Sequence, residues 1–284
     1  MRNISTCLVL FASAVAVAAD IGGTDVLAGA FAKKLETSGA LVADFAGTLP
    51  GRQAFLGGRV SAAILLMREH EKAPALAGKV PVEEFRLGAA VGVVAVHASN
   101  KTEQLTLENL VAIFSAEARS SALNWNDLTA RARSEIITPA VCSPPGTMAL
   151  EVFQGLVMEG ASFRGDVRLR VDAGLASDLL ASRAGSVVLL PRPPIGPGRV
   201  LPVADGRAGR STTAYLPDEN NVHNGDYPVQ LPLMVYVRQD KLAALKPALR
   251  WLFSDEAAAL LEKQGLFPAP KAARDRFAQR LDTR

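Results

Sequence analysis

The sequence predicts an α/β protein whose strands form parallel sheets. Apolar runs of strand length, such as "VSAAILLM" and "SVVLLP", alternate with segments that repeat apolar residues at helical spacing. Continuous apolar runs are typical of strands that are buried on both faces, as in parallel sheets. The composition is 49% hydrophobic but only 6% aromatic, which favours helices packed on sheets through small side chains. About 265 residues would follow an N-terminal leader, and this length favours two α/β lobes over one.

The N-terminal segment, residues 1–19, has the pattern of a secretory signal peptide. Arg2 precedes the uncharged apolar run "CLVLFASAVAVA", and small residues follow it, so cleavage is expected beside Ala19. The run is too short to cross a bilayer, and Cys7 lies inside it, which argues against a lipoprotein cleavage site. A buried N-terminal helix or strand is the alternative. Cleavage would leave Cys142 as the single cysteine, so no internal disulfide is expected.

Elements in the first half of the chain follow from local pattern. Residues 26–35 repeat apolar side chains at helical spacing, and "LVADF" is a short strand. The segment "GTLPGRQAFLGG" predicts a turn, a short helix and a glycine stop. The runs "VSAAILLM" and "LGAAVGVVAVHAS" then predict two buried strands.

The second half continues the same alternation. Thr106 is a suitable N-cap for the helix "TLENLVAIFS". The strand "EIITPAVC" precedes the helix "TMALEVFQGLVM", and the helix "LASDLLASRAG", ending at Gly185, precedes the strand "SVVLLP". A turn "PRPPIGPG", a strand "LPLMVYVRQ" and one or two closing helices in "LKPALRWLFSDEAAALLEKQG" complete the pattern.

Composition and motifs argue against several classes of function. The net charge of +3 comes from scattered basic residues, which does not favour nucleic acid as a partner. His70, His97 and His223 lie far apart, and none has a further ligand at metal-site spacing. The sequence has no G-x-S-x-G, P-loop or G-x-G-x-x-G motif. Cys142 precedes a helix start, which can lower a thiol pKa, but a buried structural cysteine is the favoured interpretation. We therefore expect no enzyme activity, no metal and no cofactor.

Three segments, in order, resemble the PstS-like family, the phosphate-type substrate-binding proteins of ABC transporters (a PBP-like domain). The first is "LTLENLVAIFSAEARSSALNWNDL", residues 105–128, which is similar to that family's L-T-x-E-x-L-x-x-I-F-S helix and N-W-x-x-L turn. The second is "PDENNVHNGDYPVQLPLMVYVRQD", residues 217–240. The third is the closing "ALRWLFSDEAAALLEKQGLFP". Together they extend the resemblance over essentially the whole chain after the leader.

The resemblance implies a type II periplasmic-binding-protein fold, in which two α/β lobes close on a ligand by hinge motion. Lobe 1 would comprise residues 20–90 and 226–284, lobe 2 residues 91–225, and the crossover strands would lie near Gly88–Val96 and Leu231–Val237. It also implies a periplasmic, monomeric protein that captures phosphate or a related small oxyanion. The implied partner is an ABC permease in the inner membrane.

In this family, three loop-to-helix junctions present backbone N–H and hydroxyl groups to an oxyanion. A buried anion is costly unless hydrogen bonds replace its water, and helix starts supply such donors. The matching positions in this sequence are Gly23 and Thr24, Gly47 and Thr48 with Arg52 in the following turn, and Gly146 and Thr147. Each residue also has a plain structural interpretation. Thr24 suits an N-cap, "LPG" suits a helix start, and Arg52 suits a solvated surface.

The third junction departs from the family pattern. In "VCSPPGTMALEVF", Pro145 stands where the family has a serine, and Val141 stands near the position of its arginine. Leucine and methionine in "SAAILLMREH" replace its aspartate, and Glu69 follows in an uncertain register. Since these losses remove charge-assisted hydrogen bonds, the alternative is a degenerate relative. Such a protein would bind a different ligand or phosphate weakly, or would act as a non-transport periplasmic adaptor.

Overall fold

Two mixed sheets organise the protein, described here from a computed structural model over residues 19–68, 74, 80–128, 135–145, 147–207 and 209–282. The strands are β1 (Ile21–Gly23), β2 (Ala43–Asp44), β3 (Ala62–Leu66), β4 (Val82–Val91), β5 (Val93–Val96), β6 (Leu105–Thr106), β7 (Thr138–Cys142), β8 (Arg168–Arg170), β9 (Ser186–Leu190), β10 (Arg199–Val200), β11 (Val203–Ala204), β12 (Gln230–Arg238) and β13 (Leu266–Pro268). The α-helices are α1 (Ala30–Gly39), α2 (Thr48–Leu56), α3 (Leu107–Phe114), α4 (Ala149–Leu156), α5 (Ala173–Ser182), α6 (Glu219–Asn224), α7 (Leu242–Leu252), α8 (Asp255–Lys263) and α9 (Lys271–Asp282).

The two main sheets share one strand order. The first sheet runs β2-β1-β3-β12-β4-β13 and the second runs β8-β7-β9-β5-β10. In each, the first three strands are parallel. The fourth strand of each sheet, β12 or β5, runs antiparallel to the third. The two sheets are therefore built to the same plan, and positions in one have equivalents in the other. A short parallel pair, β6 with β11, stands apart from both.

The expectation of parallel sheets is wrong for half of each sheet. Strand β4 runs antiparallel to its two neighbours β12 and β13, and β5 runs antiparallel to its two neighbours β9 and β10. An apolar run reports burial on both faces but not strand direction, and β3 is indeed buried throughout. Direction is instead set by the long-range return of the chain, which local sequence does not encode.

The chain passes from the first sheet to the second at Gly92, between β4 and β5. It returns just before β12. The two passages touch, because the Gly92 amide donates to the Val229 carbonyl at 2.9 Å, and the buried Tyr227 hydroxyl donates to the Gly92 carbonyl at 2.8 Å. The predicted second crossover at Leu231–Val237 is misplaced, since that segment lies wholly within the first sheet.

Helix boundaries follow their local signals closely where a cap is present. Thr106 caps α3 and forms a reciprocal capping box with Asn109, and Gly57 ends α2 as predicted. The closing segment forms two helices, because Ser254 caps α8 directly after α7. Helix α5 stops at Ser182, short of the expected Gly185. No helix among the described residues is long and apolar enough to cross a membrane.

Candidate functional site

The first two predicted junctions lie side by side at the carboxyl ends of β1 and β2. The Gly47 amide donates to the Gly23 carbonyl at 2.9 Å. A Cβ on Gly23 would stand 2.2 Å from the Ile64 carbonyl oxygen, and a Cβ on Gly51 would stand 2.6 Å from Gly23 Cα. Only glycine allows this approach. The first turn of α2 therefore lies directly on the end of β1.

Thr24 does not begin the helix that its spacing suggests. It precedes a short 3-10 helix at Asp25–Leu27, and α1 begins only at Ala30, after Gly29 at φ 80°. The Thr24 side chain makes no N-cap hydrogen bond although the residue is only 1% exposed. Its amide donates to the Ile64 carbonyl at 2.9 Å, which fixes Thr24 beside the middle of β3. Capping therefore does not account for this threonine.

The second junction places two helix-start amides at the strand ends. Gly47 precedes α2, and the first helical bond runs from the Gly51 amide to the Gly47 carbonyl at 2.9 Å. The amides of Thr48 and Leu49 precede that bond, whereas Pro50 has no amide hydrogen to offer. Arg52 is half-buried one position beyond Gly51.

The third junction differs from its prediction in both its start and its donors. Gly146 lies outside the described residues. Helix α4 begins at Ala149 rather than Thr147, with Glu151 in its first turn. The Thr147 hydroxyl donates to the Pro144 carbonyl at 2.8 Å, and its amide approaches the same oxygen at 3.1 Å. Both Thr147 donors thus close a local turn, and the amides that precede the first helical bond belong to residues 149–151.

The residues that replace the expected charged groups are mostly part of the core. Val141 is completely buried within β7, and Leu65, Leu66 and Met67 at the end of β3 are all at most 7% exposed. Pro145, by contrast, is exposed. Val141, which stands near the position of the family's arginine, therefore belongs to the hydrophobic core.

A fourth junction was missed from the sequence. Strand β8 leads into α5 at the sheet position equivalent to β2 and α2. Asp172 caps this helix, and its carboxylate accepts from the amides of Gly174 at 2.6 Å and Leu175 at 3.3 Å. An aspartate directly before an apolar helical segment is an N-cap signal. Since its own carboxylate occupies the helix start, this junction is closed to a further anion.

The described side chains that we considered for catalysis or metal binding belong to different parts of the fold. Burial, with a smaller effect of Asp172, raises the pKa of the Cys142 thiol, and Cys142 is completely buried. His97 follows β5, where its Nδ1 lies 2.8 Å from the Ser99 hydroxyl, and His223 lies on α6. His70 falls outside the described residues. Within the part of the chain that the structure describes, no three His, Cys, Asp or Glu side chains could hold a metal ion together.

Comparison with known proteins gives the fold. No protein-family model matches the sequence, and no curated protein matches it. Among solved structures, it is similar to a possible phosphate binding protein from Planctomyces limnophilus (18% identity, TM-score 0.72, covering 93% of this chain and 96% of that one). It is also similar to PstS from Borrelia burgdorferi (15%, 0.65, 88% and 98%) and to an ABC-type phosphate transport receptor from Vibrio cholerae (15%, 0.58, 87% and 98%). The chain therefore has the type II periplasmic-binding-protein fold, with two α/β lobes and a cleft between them, as the resemblance implied.

Proposed function

We propose that this protein is a periplasmic solute-binding protein that captures phosphate or a related small oxyanion for an ABC transporter. The observation that carries the proposal is the paired junction at the ends of β1 and β2. There the Gly47–Gly23 hydrogen bond holds the start of α2 against Gly23, and the next residue, Thr24, is buried and makes no cap bond. The similar solved structures support the same role. The partner would be an inner-membrane permease, and we expect a monomer.

The donor set suits an anion and a binding role rather than a catalytic one. Backbone amides at a helix start and a neutral hydroxyl stabilise negative charge without bringing a competing counter-ion. Backbone amides are also neither nucleophiles nor general bases. Arg52, two residues after Pro50, is the positive side chain that we propose for this side of the cleft.

The identity of the oxyanion is the open part of the proposal, and the third junction favours a second candidate. With the Thr147 hydroxyl donating to Pro144 and Glu151 in the first turn of α4, this junction presents a weaker anion site than the family pattern. Each charge-assisted hydrogen bond contributes about 1.5–3 kcal/mol. The loss of two such bonds would weaken phosphate binding by orders of magnitude. A different oxyanion, or an adaptor role without transport, is therefore the alternative.

Calorimetry with the ligand-depleted protein tests both candidates. We expect binding of phosphate or of another tetrahedral oxyanion such as sulfate. We also expect Thr24→Val, which removes the hydroxyl and keeps the shape, to weaken that binding about tenfold or more. Thr37→Val is the matched control, because the Thr37 hydroxyl bonds within the exposed face of α1. If the protein binds neither phosphate nor any other oxyanion tested, the transport proposal is refuted and the adaptor role is the remaining candidate.

Lobe boundaries and export remain part of the proposal. The sheet memberships support lobe 1 as residues 20–90 plus 226–284 and lobe 2 as residues 91–225. The signal peptide lies almost wholly outside the described residues. Mass spectrometry of the periplasmic fraction would test export, and a mature N-terminus beside Ala19 is the expected result. An uncleaved cytoplasmic protein would contradict it.

A further inference from the structure

An arginine occupies the same place in both sheets. The third strand of each sheet, β3 or β9, runs parallel to the second strand, β1 or β7, and ends in leucine. Two residues after that leucine lies Arg68 in one sheet and Arg192 in the other. Because the sheets share one strand order, both arginines leave their sheet at the edge where the carboxyl ends of the parallel strands face the cleft.

Arg192 reaches from the second sheet to elements that pack on the first. Its Nη1 donates to the Glu262 carbonyl at 2.9 Å, and its guanidinium carbon lies 5.8 Å from the centre of the Phe267 ring. Glu262 is in the last turn of α8, and Phe267 is the middle residue of β13, which pairs with β4. A cation at a helix C-terminus and over an aromatic face is favourable on both counts.

The third junction rests on the same loop that Arg192 holds. Gly265, between α8 and β13, has φ 76°, and a Cβ placed on it would stand 3.0 Å from Thr147 Cγ2 and 3.5 Å from Pro191 Cβ. Thr147 and the residue beside Arg192 thus pack on one glycine of the opposite half. Arg192, Pro191 and Thr147 together form a contact between the two halves, which we call the Gly265 clasp.

We infer that Arg192 is a positioning residue of the cleft, which holds the two lobes closed through the Gly265 clasp. Opening the cleft would break the Arg192–Glu262 hydrogen bond and withdraw the guanidinium from Phe267. Arg192 would not contact the ligand. It would set where the third junction stands relative to the first two, and so would link closure to retention of the ligand. The part of this inference that concerns ligand affinity rests on the proposed function.

Arg68 is the counterpart of Arg192 in the first sheet. A Cβ on Gly155 in α4 would stand 3.7 Å from Arg68 Nη2, so this guanidinium lies against a helix of the opposite half. Each half thus extends an arginine from the end of its third strand to a helix of the other. The two arginines thus make reciprocal contacts between the halves.

Arg192→Ala is the direct test, with Arg183→Ala as the matched control. Arg183 is an exposed arginine of the same half at the end of α5. We expect Arg192→Ala to increase the radius of gyration of the ligand-free protein in small-angle X-ray scattering. We also expect it to raise the dissociation rate and Kd of phosphate, or of the oxyanion found by calorimetry, about threefold to thirtyfold. The association rate should change little, and Arg183→Ala should match the wild type.

Two further variants keep the test decisive. Arg192→Lys retains the charge and a donor but not the planar face, so it should restore part of the closure. Phe267→Leu removes only the ring and should give a smaller increase in Kd. An unchanged radius of gyration in a folded Arg192→Ala variant would overturn the inference, as would an equal effect of Arg183→Ala. If the wild type binds no oxyanion, the proposed function fails, yet the scattering experiment still decides the clasp.

Discussion

Gly51→Ala tests the close contact between the first two junctions. The built Cβ on Gly51 would stand 2.6 Å from both Cα and N of Gly23, which are backbone atoms of β1. No side-chain rotation can relieve such a contact, so α2 must move away from the strand end. That movement would lengthen the Gly47–Gly23 hydrogen bond, now 2.9 Å, and would displace the start of α2, with the Thr48 amide, from the end of β1.

Two opposing effects set the size of the change in stability. Replacing glycine by alanine within a helix stabilises the folded state by about 0.5–1 kcal/mol, because alanine loses less backbone entropy. Overpacking a tight contact destabilises it by about 1–3 kcal/mol. Since the clash involves backbone on both sides, we take the upper part of that range. The free energy of unfolding should therefore fall by about 1–2 kcal/mol.

Gly155→Ala is the matched control, because Gly155 lies inside α4 and its Cβ would stand 3.7 Å from the end of the flexible Arg68 side chain. This variant should gain the stabilisation that alanine gives a helix, without the clash, and should therefore be more stable than the wild type. Urea denaturation followed by circular dichroism gives both free energies. If Gly51→Ala is as stable as Gly155→Ala, the argument for a glycine-dependent contact is refuted.

Three further predictions concern the contact between the two chain passages at Gly92, the pH dependence of stability and the buried Cys142. Tyr227→Phe removes the hydrogen bond to the Gly92 carbonyl and should lower the free energy of unfolding by about 1–2 kcal/mol, with faster amide exchange at Gly92 as the local check. Burial, followed by the charges of Arg86 and Arg276, lowers the pKa of His223 below its ordinary value of 6.5. The unfolded chain then binds more protons, so stability is complete above pH 6.5 and falls below it, and His223→Gln should remove part of that acid loss in a denaturation series. Cys142, which is completely buried, should resist a thiol reagent in the folded protein and react in urea, as mass spectrometry of the labelled peptide would report.

Local signals were sufficient for most elements of the fold. The Thr106 capping box and the glycine after α2 act within a few residues, so the sequence contains all that sets those ends. Strand β3 was recognisable from its apolar run. The directions of β12 and β13 were not, because they depend on where the chain returns after residues 93–229, and no local pattern records that return.

The sequence predicted the site correctly where close backbone contacts require glycine. It did not predict the site where a hydroxyl can hydrogen-bond either a ligand or the protein's own backbone. Gly23 and Gly47 lie at the strand ends, as the resemblance implied, and the neighbouring backbone explains why a side chain at Gly23 is excluded. Thr147 keeps the family residue, yet its hydroxyl bonds the Pro144 carbonyl. Motif matching identifies a side chain but not the acceptor it selects, which is here the backbone carbonyl of Pro144.

The prolines also change which part of the third junction can hold an anion. With Thr147 closing a turn on Pro144, α4 begins two residues later, and the amides that precede its first helical bond are those of residues 149–151. The Glu151 carboxylate lies in that same turn, where it competes with a ligand for the positive end of the helix. Under the proposed function, a ligand would therefore be held chiefly by the β1 and β2 junctions of the first sheet, with the second sheet contributing closure. This division gives the Gly265 clasp its importance, because a lobe with few direct contacts to the ligand needs another means of staying closed over it.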